Sequence, residues 1–259
     1  MFAKKSLGQN FLIDKNIIRK IVNLVEVKKR NIIEIGPGLG ALTDEIIKKD
    51  PKSLLIIEKD KLLFEKLNQK YSNISKIKII KSDVLKFDIE KHIRENSVIF
   101  GNLPYNISSQ ILIKILKLKK WPPKFKDVIF MFQKELAERI LSKYPSDNYG
   151  RLSIFTNYRL NIKQKFLVSP NCFSPKPKVT SQVVHFCPKK EIVLIKNLNN
   201  LEKITNFFFS RKRKMINKQI QKLLTEKQIK KIRGLKLNVR PAEIRPEMYY
   251  KITKVYEMK

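Results

Sequence analysis

Short apolar runs alternate with amphipathic stretches through the first half of the chain. Asp14–Val25 sets Ile17, Ile18, Ile21, Val22 and Val25 on one face at helical spacing. Asn31–Ile35 is a short apolar run that ends in Gly36-Pro37-Gly38-Leu39-Gly40, and a helical stretch follows over Ala41–Lys49. Ser53–Ile57 repeats the design and ends in Glu58-Lys59-Asp60, before a helix over Lys61–Lys70. A third run, Ile77–Ile80, ends in Ser82-Asp83, and a fourth, Val98–Phe100, ends in Gly101-Asn102-Leu103-Pro104-Tyr105. Ser108 is read as a helix N-cap, with Ile111, Leu112, Ile115 and Leu116 as the buried stripe behind it. Val128–Phe132 is the fifth run, followed by helical Lys134–Lys143.

Strands of this kind, each followed by a helix, predict an α/β fold with a parallel sheet covered on both faces. Ligand chemistry in such folds gathers beyond the C-terminal ends of the strands. Those ends carry Gly36–Gly40, Glu58, Asp83 and Asn102–Tyr105. After about residue 187 the chain reads as all-helical and basic, with Gly234 its one glycine. Two domains are therefore expected, 1–187 and a small helical 188–259.

Composition narrows the class. The 259 residues hold 56 Lys and Arg against 23 Asp and Glu, a formal charge of +33, with 42% hydrophobic residues. The apolar content suits a packed core rather than a disordered chain. Two cysteines do not make a disulfide scaffold. No apolar run approaches the roughly 18 residues of a membrane helix, and the opening Met1–Asp14 lacks a secretory apolar stretch. A soluble, reducing, cytoplasmic setting with no membrane is expected. So large a positive charge calls for a polyanionic partner, nucleic acid first. The abundance of Lys, Ile and Asn along the whole chain offers compositional bias as the other source of the charge.

Gly36-x-Gly38-x-Gly40 lets the backbone turn tightly and approach a ligand, and Glu58 lies 22 residues after Gly36, where an acidic side chain meets ribose hydroxyls in dinucleotide folds. Gly40-Ala41-Leu42 is not the Gly-Lys-Ser/Thr of a Walker loop, whereas a dinucleotide loop ending in Ala stays open on spacing. Asp83 suits an adenine amino group. The fourth strand end discriminates: Asn102-Leu103-Pro104-Tyr105 resembles the corner of methyltransferases that modify exocyclic amino groups of bases. An adenine amino nitrogen is a poor nucleophile because its lone pair is delocalised into the ring. The Asn oxygen and a neighbouring carbonyl can accept its two N–H bonds, proline fixes the backbone and withholds a donor, and tyrosine stacks on the extruded base.

These motifs, with Gly8-Gln9-Asn10-Phe11-Leu12-Ile13-Asp14, Tyr149–Ser153 and Phe173–Ser181, resemble the ribosomal RNA small-subunit adenine dimethyltransferase (dimethyladenosine transferase) family nearly end to end. Phe207–Met215 and Arg240–Glu243 resemble the small-subunit branch rather than the sister branch that acts on large-subunit RNA. The resemblance implies a Rossmann-like class I methyltransferase sheet with a small all-helical C-terminal domain. It implies S-adenosyl-L-methionine as methyl donor and two adjacent adenosines near the 3′ end of small-subunit rRNA as acceptors, within an assembling ribosomal subunit, and a monomeric enzyme of ribosome biogenesis. Asn10, Leu12, Gly36, Gly38, Glu58, Asp83 and Asn102 would line the donor site. Asn102, Leu103, Pro104 and Tyr105 would form the catalytic corner, with Phe173 stacking opposite Tyr105. The competing class is a non-catalytic RNA-binding assembly factor on the same fold, against which the intact loop and corner argue.

Arg211-Lys212-Arg213-Lys214, continued by Lys218 and Lys222 at i+4 beside apolar Ile216, Ile220, Leu223 and Leu224, is read as a helix with one packed face and one phosphate-tracking face. Cys172, His185 and Cys187 lack a fourth ligand and tight spacing, so no metal is expected. Trp121-Pro122-Pro123 is read as a loop anchor. Replacing Arg211, Arg213 and Lys214 together with Gln is expected to weaken rRNA binding and to lower the slope of log affinity against log salt by about one unit per lost phosphate contact. Filter binding across a salt series reads both quantities, and an unchanged slope refutes the reading.

Overall fold

The computed structural model describes residues 9–258, so Gly8 of the opening motif lies outside the described residues. In chain order it forms β1 (Phe11–Leu12), α1 (Lys15–Val22), β2 (Asn31–Ile35), α2 (Ala41–Lys48), β3 (Ser53–Glu58), α3 (Lys61–Tyr71), β4 (Ile77–Lys81), β5 (Ser97–Asn102), α4 (Ser108–Leu116), β6 (Phe125–Gln133), α5 (Lys134–Leu141), α6 (Arg151–Arg159), β7 (Leu160–Val168), β8 (Phe173–Ser174), β9 (Ser181–Pro188), α7 (Leu198–Phe209), α8 (Asn217–Ile220), α9 (Glu226–Lys230) and α10 (Pro246–Tyr256).

The main sheet has the order β4-β3-β2-β5-β6-β9-β7. β2 pairs in parallel with β3 and β5, in registers that include Ile33↔Leu55 and Glu34↔Phe100. β3–β4 and β5–β6 are also parallel, and β9 joins β6 antiparallel. Ile32, Ile33, Leu54, Ile56, Val98, Ile99, Phe100 and Val128–Phe132 are all buried, which is why these strands read as unbroken apolar runs instead of alternating ones. The chain leaves β2 towards β3 and β4, then returns to β5 on the other side of β2. The carboxyl ends of β2 and β5 therefore border a topological switch point, the place where this architecture opens a crevice.

Several expectations change. β7 and β9 were not expected as strands. β7 carries Lys163 and Lys165 on a mostly exposed sheet edge, which hides the strand pattern while discouraging edge-to-edge pairing. Ser108 is the first helical residue of α4 and not its cap; its Oγ donates backward to the Tyr105 carbonyl at 3.2 Å. The chain divides into two compact units. One runs to Ala137 and resumes over Asn161–Pro188; the other comprises Glu138–Leu160 and the residues from Lys189 onward. Residues 138–160, placed by sequence in the first domain, thus group with the C-terminal helices. In that unit α10 packs on α6 and α7. Its buried tyrosines keep their hydroxyls satisfied by carbonyls: Tyr149 on Ile244 at 2.9 Å, Tyr249 on Pro241 at 2.7 Å and Tyr250 on Ile154 at 3.1 Å.

The expected phosphate-tracking helix is not continuous. α7 stops at Phe209, residues 211–214 form a turn, and α8 spans only Asn217–Ile220. Phe208 and Phe209, at the end of α7, pack on Tyr249 at centroid distances of 6.0 and 5.9 Å, and the chain turns directly after them. Arg211, Lys212, Arg213, Lys214, Lys218 and Lys222 are all exposed, but on a turn and successive short segments.

Asp127 on β6 is a buried ion-pair hub. His185 Nε2 lies 2.7 Å from its Oδ1, Lys163 Nζ 3.1 Å from the same oxygen, and Arg30 Nη1 3.0 Å from Oδ2. Burial raises its pKa, but His185, Lys163 and Arg30 together hold it well below the usual carboxylate range. Asp127→Asn is expected to destabilise the fold by ~3 kcal/mol, because it leaves partly buried cations unpaired. Urea denaturation measures it, and a loss below about 1 kcal/mol would show the hub to be dispensable.

Candidate active site

The cleft at the switch point is built from chain ends that the sheet delivers side by side. Gly36 follows β2, and its amide donates to the Ile57 carbonyl at the end of β3 at 3.0 Å. The next two loop glycines must be glycine. Gly38 has φ +62, and a Cβ there would come within 2.9 Å of the Phe11 ring. Gly40, the left-handed N-cap of α2, has φ +86, and its Cβ would lie 2.4 Å from the Tyr71 hydroxyl. The loop is thus bare backbone that both turns left-handed and lets side chains close against it.

Glu58 ends β3 and is buried, and its Oε1 accepts the Asp60 amide at 2.7 Å. Burial raises its pKa, while the amides of Asp60, Lys59 and Gly38 pull it down, and burial prevails. Asp60 caps α3 through its Oδ1, which accepts the amides of Leu62 and Leu63. Asp83 follows β4. Its Oδ2 accepts Lys59 Nζ at 2.8 Å and its Oδ1 the Leu85 amide at 2.9 Å, and the Lys59 bond holds its carboxyl below the ordinary range.

At the end of β5, Asn102 donates through Nδ2 to the Asn10 carbonyl at 3.4 Å. That bond turns the amide so that Oδ1 remains as the acceptor. Leu103 is buried and roots the corner, with its side chain against the space above Gly101, where a Cβ would sit 2.5 Å from Leu103 Cδ2. The Tyr105 hydroxyl shares a hydrogen bond of 2.6 Å with Ser181 Oγ.

Asn10, Leu12, Gly36, Gly38, Glu58, Asp83, Asn102, Leu103, Pro104 and Tyr105 all line this one cleft. Phe173 does not. It is 3% exposed and pairs across β8–β1 with Leu12 inside the core cluster, because that short antiparallel pairing turns its ring inward. Stacking on a base requires the ring to leave that packing. Sequence reasoning passed over Leu39, Lys59, Val84 and Ile107, which also line the cleft. An apolar leucine within a glycine loop, 45% exposed, was the available signal for Leu39. Lys59 stands between Glu58 and Asp60 and gave none. The exposed residues Arg211, Lys212, Arg213, Lys214 and Lys218 belong to the other unit. Among the described residues, no group of three or more His, Cys, Asp or Glu is arranged to hold a metal, and no helix is long and apolar enough to cross a membrane.

Behind the loop, Glu34 on β2 is 1% exposed. Its Oε2 accepts the Thr43 hydroxyl at 2.6 Å and its Oε1 has no hydrogen-bond partner. Burial pushes its pKa up to about 7, against the lowering effect of Thr43, and Asp44 and Glu58 push the same way. A carboxyl raised in the native state keeps its proton where the unfolded chain has lost it. Its stabilising share is complete below the unfolded value near 4.5 and is lost as pH rises through about 7. Glu34→Gln keeps the shape and has no proton to lose. Relative to the parent it is expected to gain up to ~3 kcal/mol between pH 5 and pH 8. Denaturant midpoints across that range test this, and parallel pH curves for parent and variant refute it.

Comparison with known proteins agrees with this geometry. The sequence profile of the family described as ribosomal RNA adenine dimethylase matches residues 2–258. The chain is similar to a ribosomal RNA small subunit methyltransferase A of Pelagibacter ubique (strain HTCC1062), 44% identical over 98% of this chain and 97% of the relative. It is 39% identical to the protein of that name from Malacoplasma penetrans (strain HF-2), over 97% and 91%. Among solved structures, a dimethyladenosine transferase from Plasmodium falciparum superposes with a TM-score of 0.81 at 23% identity, over 96% of this chain and 98% of that one. The 23S rRNA methyltransferase ErmE superposes at 0.68 and 23%, over 96% and 100%. These two likenesses establish a class I methyltransferase fold. A profile that matches nearly every residue, together with relatives at this identity, settles the descent: the chain belongs to the ribosomal RNA adenine dimethylase family.

Proposed function

We infer that this protein carries its family's activity: it transfers methyl groups to the N6 amino group of adenosines in small-subunit rRNA, two adjacent residues near the 3′ end, within an assembling subunit. The observation that carries the reading is the Asn102 amide, tied through Nδ2 to Asn10 so that its oxygen is presented as an acceptor. A substrate adenine would donate one amino N–H to that oxygen and the other to a backbone carbonyl of the corner. Both bonds draw the nitrogen towards a pyramidal shape and turn its lone pair towards the methyl donor. Pro104 fixes the backbone between acceptor and ring. Tyr105 offers a face on which the extruded base stacks.

The residues present fit S-adenosylmethionine. The Gly36–Gly40 loop, Glu58 and Asp83 line the same cleft as Asn102; Glu58 would accept ribose hydroxyls, and Asp83, now bonded to Lys59, would accept the adenine amino group. When bound, the donor supplies an electrophilic methyl on a sulfonium. The chain's contribution is orientation and removal of water, so no strong base is needed: as the N–C bond formed, the methyl–sulfur bond would break to leave a neutral thioether, and the amino proton would pass to solvent. A monomer acting in the cytoplasm is part of the same reading.

Labelled methyl transfer to unmethylated small subunits is the test. Asn102→Ala is expected to lower turnover about 100-fold, since a misplaced acceptor loses the attack geometry. Absence of transfer by the parent protein would leave only an RNA-binding role.

A further inference from the structure

Ser181 belongs to the sheet and not to the corner, yet it holds the corner's aromatic ring. It is the first residue of β9, has no exposed surface, and pairs in register with Gln133 at the end of β6. One residue earlier, the Thr180 carbonyl accepts the Lys134 amide at 2.9 Å. The Ser181 backbone is therefore held by the sheet, and one rotatable bond separates it from the hydroxyl. It lies 2.6 Å from the Tyr105 hydroxyl, across 76 residues of sequence.

Tyr105 is otherwise a loop residue. Its carbonyl is held by Ser108 Oγ at 3.2 Å, and the Pro104 carbonyl by the Ile107 amide at 3.2 Å, so its backbone is fixed. Two rotatable bonds still separate that backbone from the phenol oxygen. Anchoring the oxygen at the far end fixes the first of these, and with it the place and direction of the ring, since the second only spins the ring about the axis that runs through that oxygen. Burial raises the phenol pKa, so at neutral pH it stays a neutral hydroxyl, able to give or take the shared hydrogen.

We propose that Ser181 is a positioning residue: its hydroxyl holds the Tyr105 ring in the place where the substrate base stacks, and so ties the end of the Phe173–Ser181 loop to the catalytic corner. This rests on the methyltransferase reading of the site. It also explains why the corner ends in tyrosine when stacking alone needs only a phenyl ring. The same bond makes loop and corner one mechanical unit, because Ser181 closes the loop that begins at Phe173.

A double-mutant cycle decides it. Ser181→Ala is expected to lower kcat on unmethylated subunits about tenfold, as loss of one orienting hydrogen bond does. Affinity for S-adenosylhomocysteine, read by calorimetry, should stay within about twofold, a split that general damage to the fold would not give. Tyr105→Phe cuts the same bond without touching the buried strand and should lose a similar factor. The combined variant leaves neither hydroxyl stranded and should be no worse than either single one. Losses that multiply to about 100-fold, or full turnover by Ser181→Ala, overturn the proposal. Tyr105 is also observable without turnover, by NMR of ring-labelled tyrosine, where Ser181→Ala should shift its resonance. An unchanged resonance overturns the positioning role even if the parent protein proves inactive on RNA; parental inactivity by itself would instead sink the methyltransferase reading.

Discussion

A two-residue strand holds the site together. Phe11–Leu12 pairs antiparallel with Phe173–Ser174, and the Cys172 carbonyl then accepts the amides of Ile13 and Asp14 at 2.8 and 3.4 Å. Asp14 caps α1 immediately afterwards. Leu12 is 4% exposed and sits in the same apolar cluster as the sheet residues Ile32 and Phe100. This pins the segment ahead of α1 across the ends of β2 and β5. Two consequences follow from the pinning. The Phe11 ring closes on Gly38, where nothing larger than hydrogen fits. The Asn10 carbonyl meets Asn102 and decides which end of that amide is left to accept. Loop conformation and acceptor orientation thus both derive from burying one leucine and one phenylalanine, a contribution of about 2 kcal/mol each.

Charge is distributed against the grain of the whole. A chain with a formal charge of +33 gathers Glu34, Glu58, Asp60 and Asp83 at or near the carboxyl ends of three neighbouring strands. Burial raises the pKa of two of these four, Glu34 to about 7 and Glu58 above its ordinary value. Asp83 stays ionised, with Lys59 on it. On the proposed function, an RNA backbone would be drawn to the cationic surface, with screening confining that attraction to roughly 8 Å in physiological salt. The acidic cleft repels phosphate but not a neutral base. On the proposed function, such a field would favour one part of a nucleotide, the base, at the point where Asn102 and Tyr105 stand, and a cationic donor beside it.

The parallel half of the fold was legible because both faces of its strands are buried, which leaves apolar runs that no loop would carry. Strand ends were legible for a different reason. Gly36–Gly40, Glu58, Asp83 and Asn102–Tyr105 are residues of low strand propensity, and they mark where the sheet stops and the cleft begins. What failed to show depends on tertiary partners. β7 reads as polar chain because it lies at the sheet edge, and β9 has an apolar run whose antiparallel place beside β6 no local pattern announces. Phe173 looked like a ligand-facing aromatic, yet its pairing with Leu12 buries it. The i+4 spacing of Lys214, Lys218 and Lys222 promised one helix, but α7 ends at Phe209 and the three lysines fall on a turn and short segments beyond it.

That last failure bears on how affinity is built. Cations on a rigid helix address phosphates at fixed intervals, whereas Arg211–Lys214 on a turn and Lys218 on a single helical turn present theirs on several short supports. Such supports adapt to a folded RNA surface without reading its sequence, since phosphate contacts position but do not specify. On the proposed function, discrimination would come from the cleft, where one amide oxygen, one proline-fixed turn and one anchored ring would accept a base by shape and hydrogen bonding. Binding and selection would then be separate tasks: the helical unit would supply salt-sensitive grip, and the sheet unit geometry that salt does not touch.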